Sequence, residues 1–406
     1  MERNWAGNLT YSATEFVRPA SIAEIQRVVA DNPRVRALGS RHSFNDVADT
    51  AGVAVSPEAL PPDVVVEGST VTVSAGTRYG VLAAVLEERG LALANLASLP
   101  HISVGGAVAT GTHGSGVRNG CLSTSVAAVE LVGADGTLRR TSRGDQEFAG
   151  SVVALGALGV VVRVTLDVRT TFAVRQDVYP DVPWAPVLAD LDAVLACGYS
   201  VSLFTTWTGP LQVWVKSTDT TPPADVYGAS PSPVPLHMIA GESVEAVTEQ
   251  GGVPGPWLDR LPHFRMGHKP SSGEELQTEY LVPRDRAVEA LTRVRAMGER
   301  VAPLLHVTEI RTIAADELWL SGAHGRDAVA VHFTWHLDPA GVFAVLPDIE
   351  AALLPLGARP HWGKCFTATA RDLAPLYPRW TDFAELRREH DPSDKFGNAY
   401  LDRVLG

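Results

Sequence analysis

The stretch Ser98-Leu99-Pro100-His101-Ile102-Ser103-Val104-Gly105-Gly106-Ala107-Val108-Ala109-Thr110-Gly111-Thr112-His113-Gly114-Ser115-Gly116 sets the reading of this chain. Glycine is dense there and small hydroxyl residues lie between, so main-chain N–H groups can converge on an anion with no Cβ in the way. Its counterpart is Gly39-Ser40-Arg41-His42-Ser43-Phe44, a turn that follows a short apolar strand from Val35 to Leu38. Neither stretch is the dinucleotide fingerprint, whose glycines recur as G-x-G-x-x-G between a strand and a helix. Alone, a loop of this kind is as often a plain turn, and a histidine within a turn is more often solvated or capping than functional.

Around these two loops the pattern is mixed. Ser21 as N-cap with Glu24 at the capping-box position opens a helix carrying Ile22, Ile25, Val28 and Val29 on one face. Val64 to Val66 and Val71 to Val73 flank a hairpin turn, and Tyr79 to Arg89 reads as a helix closed by Gly90. Val126 to Val132 and Leu138 to Thr141 form another hairpin about Ala134-Asp135-Gly136, and Val160 to Val168 is a strand. This is an α+β layer unit ending near Thr171. Strands then follow at Val201 to Trp207 and Gln212 to Lys216, with a proline- and serine-rich loop from Thr220 to Pro235. Beyond it the order is strand Leu276 to Val282, helix Asp285 to Arg300, strand Leu305 to Ile313, strand Ala328 to Leu337, helix Ala340 to Leu354 and strand Arg359 to Phe366. That order is the split βαβ arrangement: an antiparallel sheet with helices on one face and the other face free to cover something.

A chain of 406 residues is long for one simple core, so two domains are expected. Its net charge of −12 disfavours nucleic acid and anionic membranes as partners. Cys121, Cys197 and Cys365 lie far apart with no C-x-x-C pair, as in a reducing compartment. The start, Met1-Glu2-Arg3-Asn4, lacks the apolar core of a signal peptide, and the most apolar run, Val152 to Val162, is too short to span a bilayer. A cytoplasmic location is the expectation.

Strand alternation makes a separate claim. Positions i and i+2 share a face, so Glu309 and Arg311 point one way with Val307 and Ile313. His332, Thr334 and His336 share a face on the next strand, and Trp362, Lys364 and Phe366 on the last. The plain alternative is a set of solvated surface pairs worth little, but the flanking apolar residues suit a pocket floor better. His332 and His336 stand roughly 13 Å apart on a strand, too far to share one metal ion. No H-E-x-x-H or Cys/His cluster exists, and no G-x-S-x-G elbow, so neither a metal centre nor a triad hydrolase is expected.

Together, Gly39 to Phe44 and Ser98 to Gly116 resemble the FAD-binding domain of the vanillyl-alcohol-oxidase-type flavoproteins. Within that family the likeness is strongest to bacterial alditol (xylitol) oxidases. It extends through Asn4-Trp5-Ala6-Gly7-Asn8, Glu309-Ile310-Arg311-Thr312 and His361-Trp362-Gly363-Lys364. The resemblance implies an α+β flavoprotein of two domains. A PCMH-type FAD-binding domain would span 1–171, and a substrate domain on an antiparallel sheet with helices on one face would span 172–366. A C-terminal segment, 367–406, would pack back on the FAD domain.

The resemblance further implies FAD held covalently through its 8α-methyl group by His42. Gly39, Ser40, Arg41, Ser43, Phe44, Ser98, Ser103, Val108, Thr110, Gly111, Thr112, His113, Ser115 and Val160 would also lie at the cofactor. Arg41 departs from the small residue expected before the histidine. Ser98, Glu309, Arg311, Thr334 and Lys364 match positions that hold polyol hydroxyls, with His332 adjacent. The implied reaction oxidises a terminal primary alcohol to the aldehyde and reduces O2 to hydrogen peroxide. Arg311 and Lys364 would favour alkoxide character, Glu309 would orient Arg311, and His332 or water would take the proton. An aldonolactone oxidoreductase of the same fold using another electron acceptor is the first alternative. A flavin-holding or sugar-binding protein without turnover is the second. No protein partner is implied, and the preferred polyol stays open.

Overall fold

The computed structural model describes residues 2–219, 221, 223–268 and 274–406; Met1, and Thr220 and Pro222 at the start of the proline-rich loop, lie outside it. Three sheets organise the chain. The first is a small parallel sheet of β1 (Glu15–Val17), β2 (Val35–Ala37) and β3 (Val53–Val55), with β3 central. Helix α1 (Ile22–Asp31) is capped as expected: Ser21 accepts from the Glu24 N–H, and Glu24 reaches back to the Ala20 N–H. It buries Ile25 and Val29.

The second sheet has five antiparallel strands: β4 (Val65–Glu67), β5 (Thr70–Ser74), β6 (Val126–Val132), β7 (Leu138–Ser142) and β8 (Val160–Asp167), in the order β4-β5-β8-β6-β7. Both hairpins foreseen from the turn residues are present. Helix α2 (Tyr79–Glu88) ends at Gly90, whose φ of +68° suits glycine. The glycine-rich run supplies α3 (Val104–Ala109).

The third sheet is larger than the sequence pattern suggested, because the two strands expected ahead of the proline-rich loop join it together with a third, Ala173–Val182. Its strands are β9 (Ala173–Val182), β10 (Ser200–Thr205), β11 (Leu211–Ser217), β12 (Glu275–Pro283), β13 (Leu305–Ile313), β14 (Ala328–His336) and β15 (Arg359–Pro360), with a two-residue edge at Gly255–Pro256. From that edge the order is β9-β11-β10-β13-β14-β12-β15. The β12-to-β15 half keeps the split βαβ order, and α4 (Ala287–Arg295) and α5 (Pro339–Leu353) pack together over one face.

Two expectations fail here. The helix expected over Asp285 to Arg300 breaks after Arg295 and resumes at Gly298, a poor helix former whose backbone packs close to Trp207, a Cβ there lying 3.2 Å from the Trp207 Cβ and 3.3 Å from its carbonyl oxygen. The strand expected over Arg359 to Phe366 stops at Pro360. His361 and Cys365 still donate to the Glu279 and Gln277 carbonyls of β12, but a turn is inserted between them. The first loop takes its main-chain groups: Phe44 N–H donates to Gly363 O, and Asn45 Nδ2 donates to the carbonyls of Trp362 (2.8 Å) and Lys364 (2.7 Å). Trp362, Lys364 and Phe366 therefore do not share a strand face. Trp362 is buried, stacked on Tyr377 with its Nε1–H donated to Leu320 O.

Among the described residues one helical stretch, Pro339–Leu356, has the length and apolarity of a membrane span. It is the sheet-covering α5 and its extension, burying Val342, Val345, Leu346, Ile349 and Leu353. The C-terminal helices α6 (Trp380–His390) and α7 (Ala399–Leu405) bring residues 395–398 back against the first sheet. The buried Arg36 guanidinium donates to the carbonyls of Phe396, Gly156, Leu155 and Val47. Asn398 caps α7 by accepting from Leu401 N–H, while its Nδ2 reaches the carbonyls of Asp46, Val47 and Asp49. Asn398→Ala removes a cap and several carbonyl partners, so urea melts should show a loss of about 2 kcal/mol.

Candidate active site

The two glycine-rich loops meet through a reciprocal serine pair. Ser40 N–H donates to Ser103 Oγ at 3.2 Å, and Ser103 N–H donates to Ser40 Oγ at 3.0 Å. A Cβ on Gly39 would sit 2.8 Å from Ser103 Oγ, and one on Gly105 would sit 2.8 Å from the Ala75 Cβ. Only glycine permits this approach. Arg41 adopts φ +65°, a conformation that favours glycine or asparagine; it is held by its ion pair to Glu2 at 2.5 Å and by its carbonyl, which accepts the Trp5 N–H at 2.8 Å. His42 follows, stacked on Trp5 at 5.3 Å with its Nδ1 3.2 Å from Ser40 Oγ. Burial pushes its imidazole down to about 4, so it is neutral at pH 7.

A cavity of about 590 Å³ runs from this turn along the Ser98–His113 loop to the free face of the third sheet. Gly39 to Phe44, Ser98, Ser103, Thr110, Thr112 and His113 line it, as do Glu309, Arg311, His332, Thr334 and Lys364. Four residues assigned to the cofactor from the sequence do not. Val108 lies on the core side of α3, and Gly111 forms the turn after it at φ +67°. Ser115 is buried and donates its hydroxyl to Val201 O of β10. Val160 packs its side chain into the core with Val132 and Val162, while Gly159 and Val161 border the cavity. His336 lies at the exposed end of β14, edge-on to His306 with ring centroids 3.9 Å apart.

Register explains the polar floor. Pairing sets Phe204 opposite Glu309, Glu309 opposite His332, and His332 opposite Glu279, a row across β10, β13, β14 and β12. Glu279 was missed in the sequence, although Glu275, Gln277 and Glu279 alternate along β12 and would have been found by applying the same period-two rule to that strand. It is 1% exposed and bridges the two cations: Arg311 Nη2 donates to its Oε1 at 2.8 Å and Lys364 Nζ to its Oε2 at 2.6 Å. Glu279, not Glu309, therefore orients Arg311, whose Nε lies 3.6 Å from Glu309 Oε2. Glu309 instead accepts from His263 Nε2 at 2.7 Å. Burial pushes both carboxyls up, but Lys364, His113 and Arg311 about Glu279, and Arg311 and His263 about Glu309, reverse this and hold both well below the usual range. Two carboxylates thus face two cations in a buried cluster.

Polar capacity is left over. Arg311 Nε and both ring nitrogens of His332 are buried without hydrogen-bond partners, all on residues lining the cavity, while His113 Nε2 lies 3.2 Å from Glu279 Oε1. Orphaned groups of this kind cost about 1–3 kcal/mol each unless a ligand satisfies them. Burial and then Lys364 push His332 down to about 4, so it is a neutral proton acceptor at pH 7. A tight glycine cradle, a neutral histidine on its wall and a hydroxyl-matching floor fit a flavin dinucleotide at one end of the cavity and a polyhydroxylated ligand at the other. Among the described residues no group of His, Cys, Asp and Glu is placed to hold a metal.

Comparison with known proteins gives the same picture. The family described as FAD binding domain matches residues 13–142, and the D-arabinono-1,4-lactone oxidase family matches residues 273–404. An alditol oxidase from a Streptomyces species is 49% identical over 409 residues, covering 99% of this chain and 98% of that one. An L-gulono-1,4-lactone dehydrogenase of Mycobacterium tuberculosis is 32% identical over 439 residues, with 99% and 98% covered. The crystal structure of cholesterol oxidase from B. sterolicum superposes with a TM-score of 0.78 over 100% of this chain and 96% of that one, at 16% identity, a likeness of fold alone.

Glu279→Gln leaves Arg311 and Lys364 buried with a neutral partner, and should lower the unfolding free energy by about 3 kcal/mol at pH 7. The folded-state pKa of Glu279 is depressed, so its contribution is present above the ordinary carboxylate pKa and is lost as pH falls through the lower folded value. Urea melts of both proteins should therefore converge as pH is taken below about 4.

Proposed function

Since the chain belongs to the alditol oxidase family of FAD-binding oxidoreductases, we propose that it oxidises the terminal primary alcohol of polyols such as xylitol and sorbitol to the aldehyde. The observation that carries this reading is the set of orphaned ring and guanidinium nitrogens on His332 and Arg311 at the end of the cavity. Gly39 to Phe44 and Ser103 to His113 would hold FAD in the cradle, where it would supply the two-electron acceptor for alcohol oxidation, with O2 as the final oxidant and hydrogen peroxide as its product.

The side chains supply position and charge. Arg311 and Lys364, fixed by Glu279, favour negative charge on the reacting oxygen. Glu309 Oε2 lies 3.8 Å from His332 Nδ1, which favours the tautomer protonated there and leaves Nε2 to take the hydroxyl proton. The resulting imidazolium then faces the Glu309 carboxylate. Ser98, whose Oγ accepts from Arg311 Nη1 at 3.2 Å, and Thr334 hold hydroxyls further along. His42, neutral and next to the cradle, carries the flavin covalently. The lactone-oxidising alternative is less well supported, since the relative named for it is the less similar of the two. Unpaired cysteines at 121, 197 and 365 support a place in the cytoplasm.

Peroxide release from a panel of polyols tests the reaction; its absence with every one, alongside turnover of a lactone with another acceptor, would favour the alternative. Glu309→Gln, Arg311→Met and Lys364→Met should each lower kcat/KM about ten- to hundredfold, as loss of a hydrogen bond to a charged group requires. Thr334→Val should chiefly raise KM, and His336→Ala should change little. Acid precipitation tests the covalent link: the wild-type pellet should be yellow, and His42→Ala should release its FAD to the supernatant.

A further inference from the structure

Lys216 is a buried lysine of the third sheet and the reaction does not use it. It lies on β11, 1% exposed, with no carboxylate within ion-pair distance among the described residues. Its Nζ donates to Leu261 O at 2.5 Å, to Pro262 O at 3.1 Å and to His263 Nδ1 at 3.0 Å, which uses all three ammonium protons. With Nδ1 accepting, the one proton of a neutral imidazole sits on Nε2, which faces Glu309 Oε1 at 2.7 Å. The same short segment holds the other wall of the pocket, since the His263 and Phe264 N–H groups both donate to Ser98 O.

We propose that Lys216 and His263 are positioning residues for substrate recognition: Lys216 fixes the tautomer of His263, and His263 fixes the direction of the Glu309 carboxylate towards a polyol hydroxyl. The proposal rests on the polyol reading of the pocket. The charged and titratable groups about His263 are Lys216 on β11, Glu309 and Arg311 on β13, and, across Glu309, His332 on β14. Burial and then Lys216 hold His263 down to about 4, while Glu309 pushes it up. Burial, helped by the positive charge of Arg311, brings Lys216 down to about 7 despite Glu309, so the ammonium is itself marginal. Without Lys216, His263 regains a free Nδ1 and titrates closer to its ordinary value. Its charge then draws Glu309 away from the substrate.

The test compares His263→Leu, His263→Asn, Lys216→Met and Glu309→Gln by steady-state kinetics on xylitol, with thermal melts. His263→Leu should raise KM about tenfold with kcat within a few-fold. His263→Asn, whose amide can both accept from Lys216 and donate to Glu309, should recover most of that loss. Lys216→Met should show a KM that rises as pH falls from 7 to 5.5, a range in which Lys216 of the wild type is cationic and the wild-type KM is flat. Equal losses in His263→Leu and His263→Asn that follow their melts, or normal KM in His263→Leu while Glu309→Gln is impaired, overturn the relay. Nitrogen NMR of the imidazoles reads it apart from turnover: His263 should stay neutral with its proton on Nε2 from pH 5 to 7 in wild type, and should titrate in Lys216→Met. A protein that turns over no polyol yet shows this NMR behaviour would sink the substrate reading and leave the tautomer lock standing; titration of His263 in wild type over that range would sink the lock.

Discussion

Glu279 holds the pocket together. Its two oxygens take the Arg311 guanidinium and the Lys364 ammonium, which arrive from different elements: β13 and the turn after β15. A buried charge without a partner costs several kcal/mol, whereas a matched set is close to neutral overall. Each cation in this cluster is therefore tied to an anion, and its geometry cannot relax without exposing one. Such a cluster adds little to net stability. What it provides is a pair of positive charges held in place before any substrate arrives.

The cradle for the cofactor is built on a different constraint, that of space. Gly39 and Gly106 permit two loops about sixty residues apart in sequence to touch, and the reciprocal bonds of Ser40 and Ser103 lock the contact. The strained Arg41 is set by this closure: its carbonyl bonds to Trp5, which in turn stacks on His42. Backbone strain beside a functional side chain persists only where the surroundings over-determine it.

Two short connections join cradle and floor. Asn45, one residue beyond the cradle turn, takes the carbonyls on either side of Gly363 and so shapes the turn that presents Lys364. The segment Leu261 to Phe264, in no strand or helix apart from a single bridge at Phe264, ties Ser98 to Glu309 and Lys216. A loop can do this because its main-chain groups are not consumed by a ladder and remain free to bond side chains.

Local chemistry was legible in the sequence. Caps, hairpin turns and strand alternation follow from rules that operate within a few residues, so α1, the hairpins and the shared face of Glu309 with Arg311, and of His332 with Thr334, could be read directly. The glycine-rich run and the turn at His42 likewise announced a close approach, through the residue type that close approach requires. What the sequence could not decide was pairing between distant segments. That Glu279 rather than Glu309 holds Arg311, that Lys364 stands on a turn shaped by Asn45, that Val160 faces the core, and that Lys216 and His263 reach Glu309 all depend on which strands become neighbours and in what register. Register is set by burial over the whole sheet, and no window of sequence contains it.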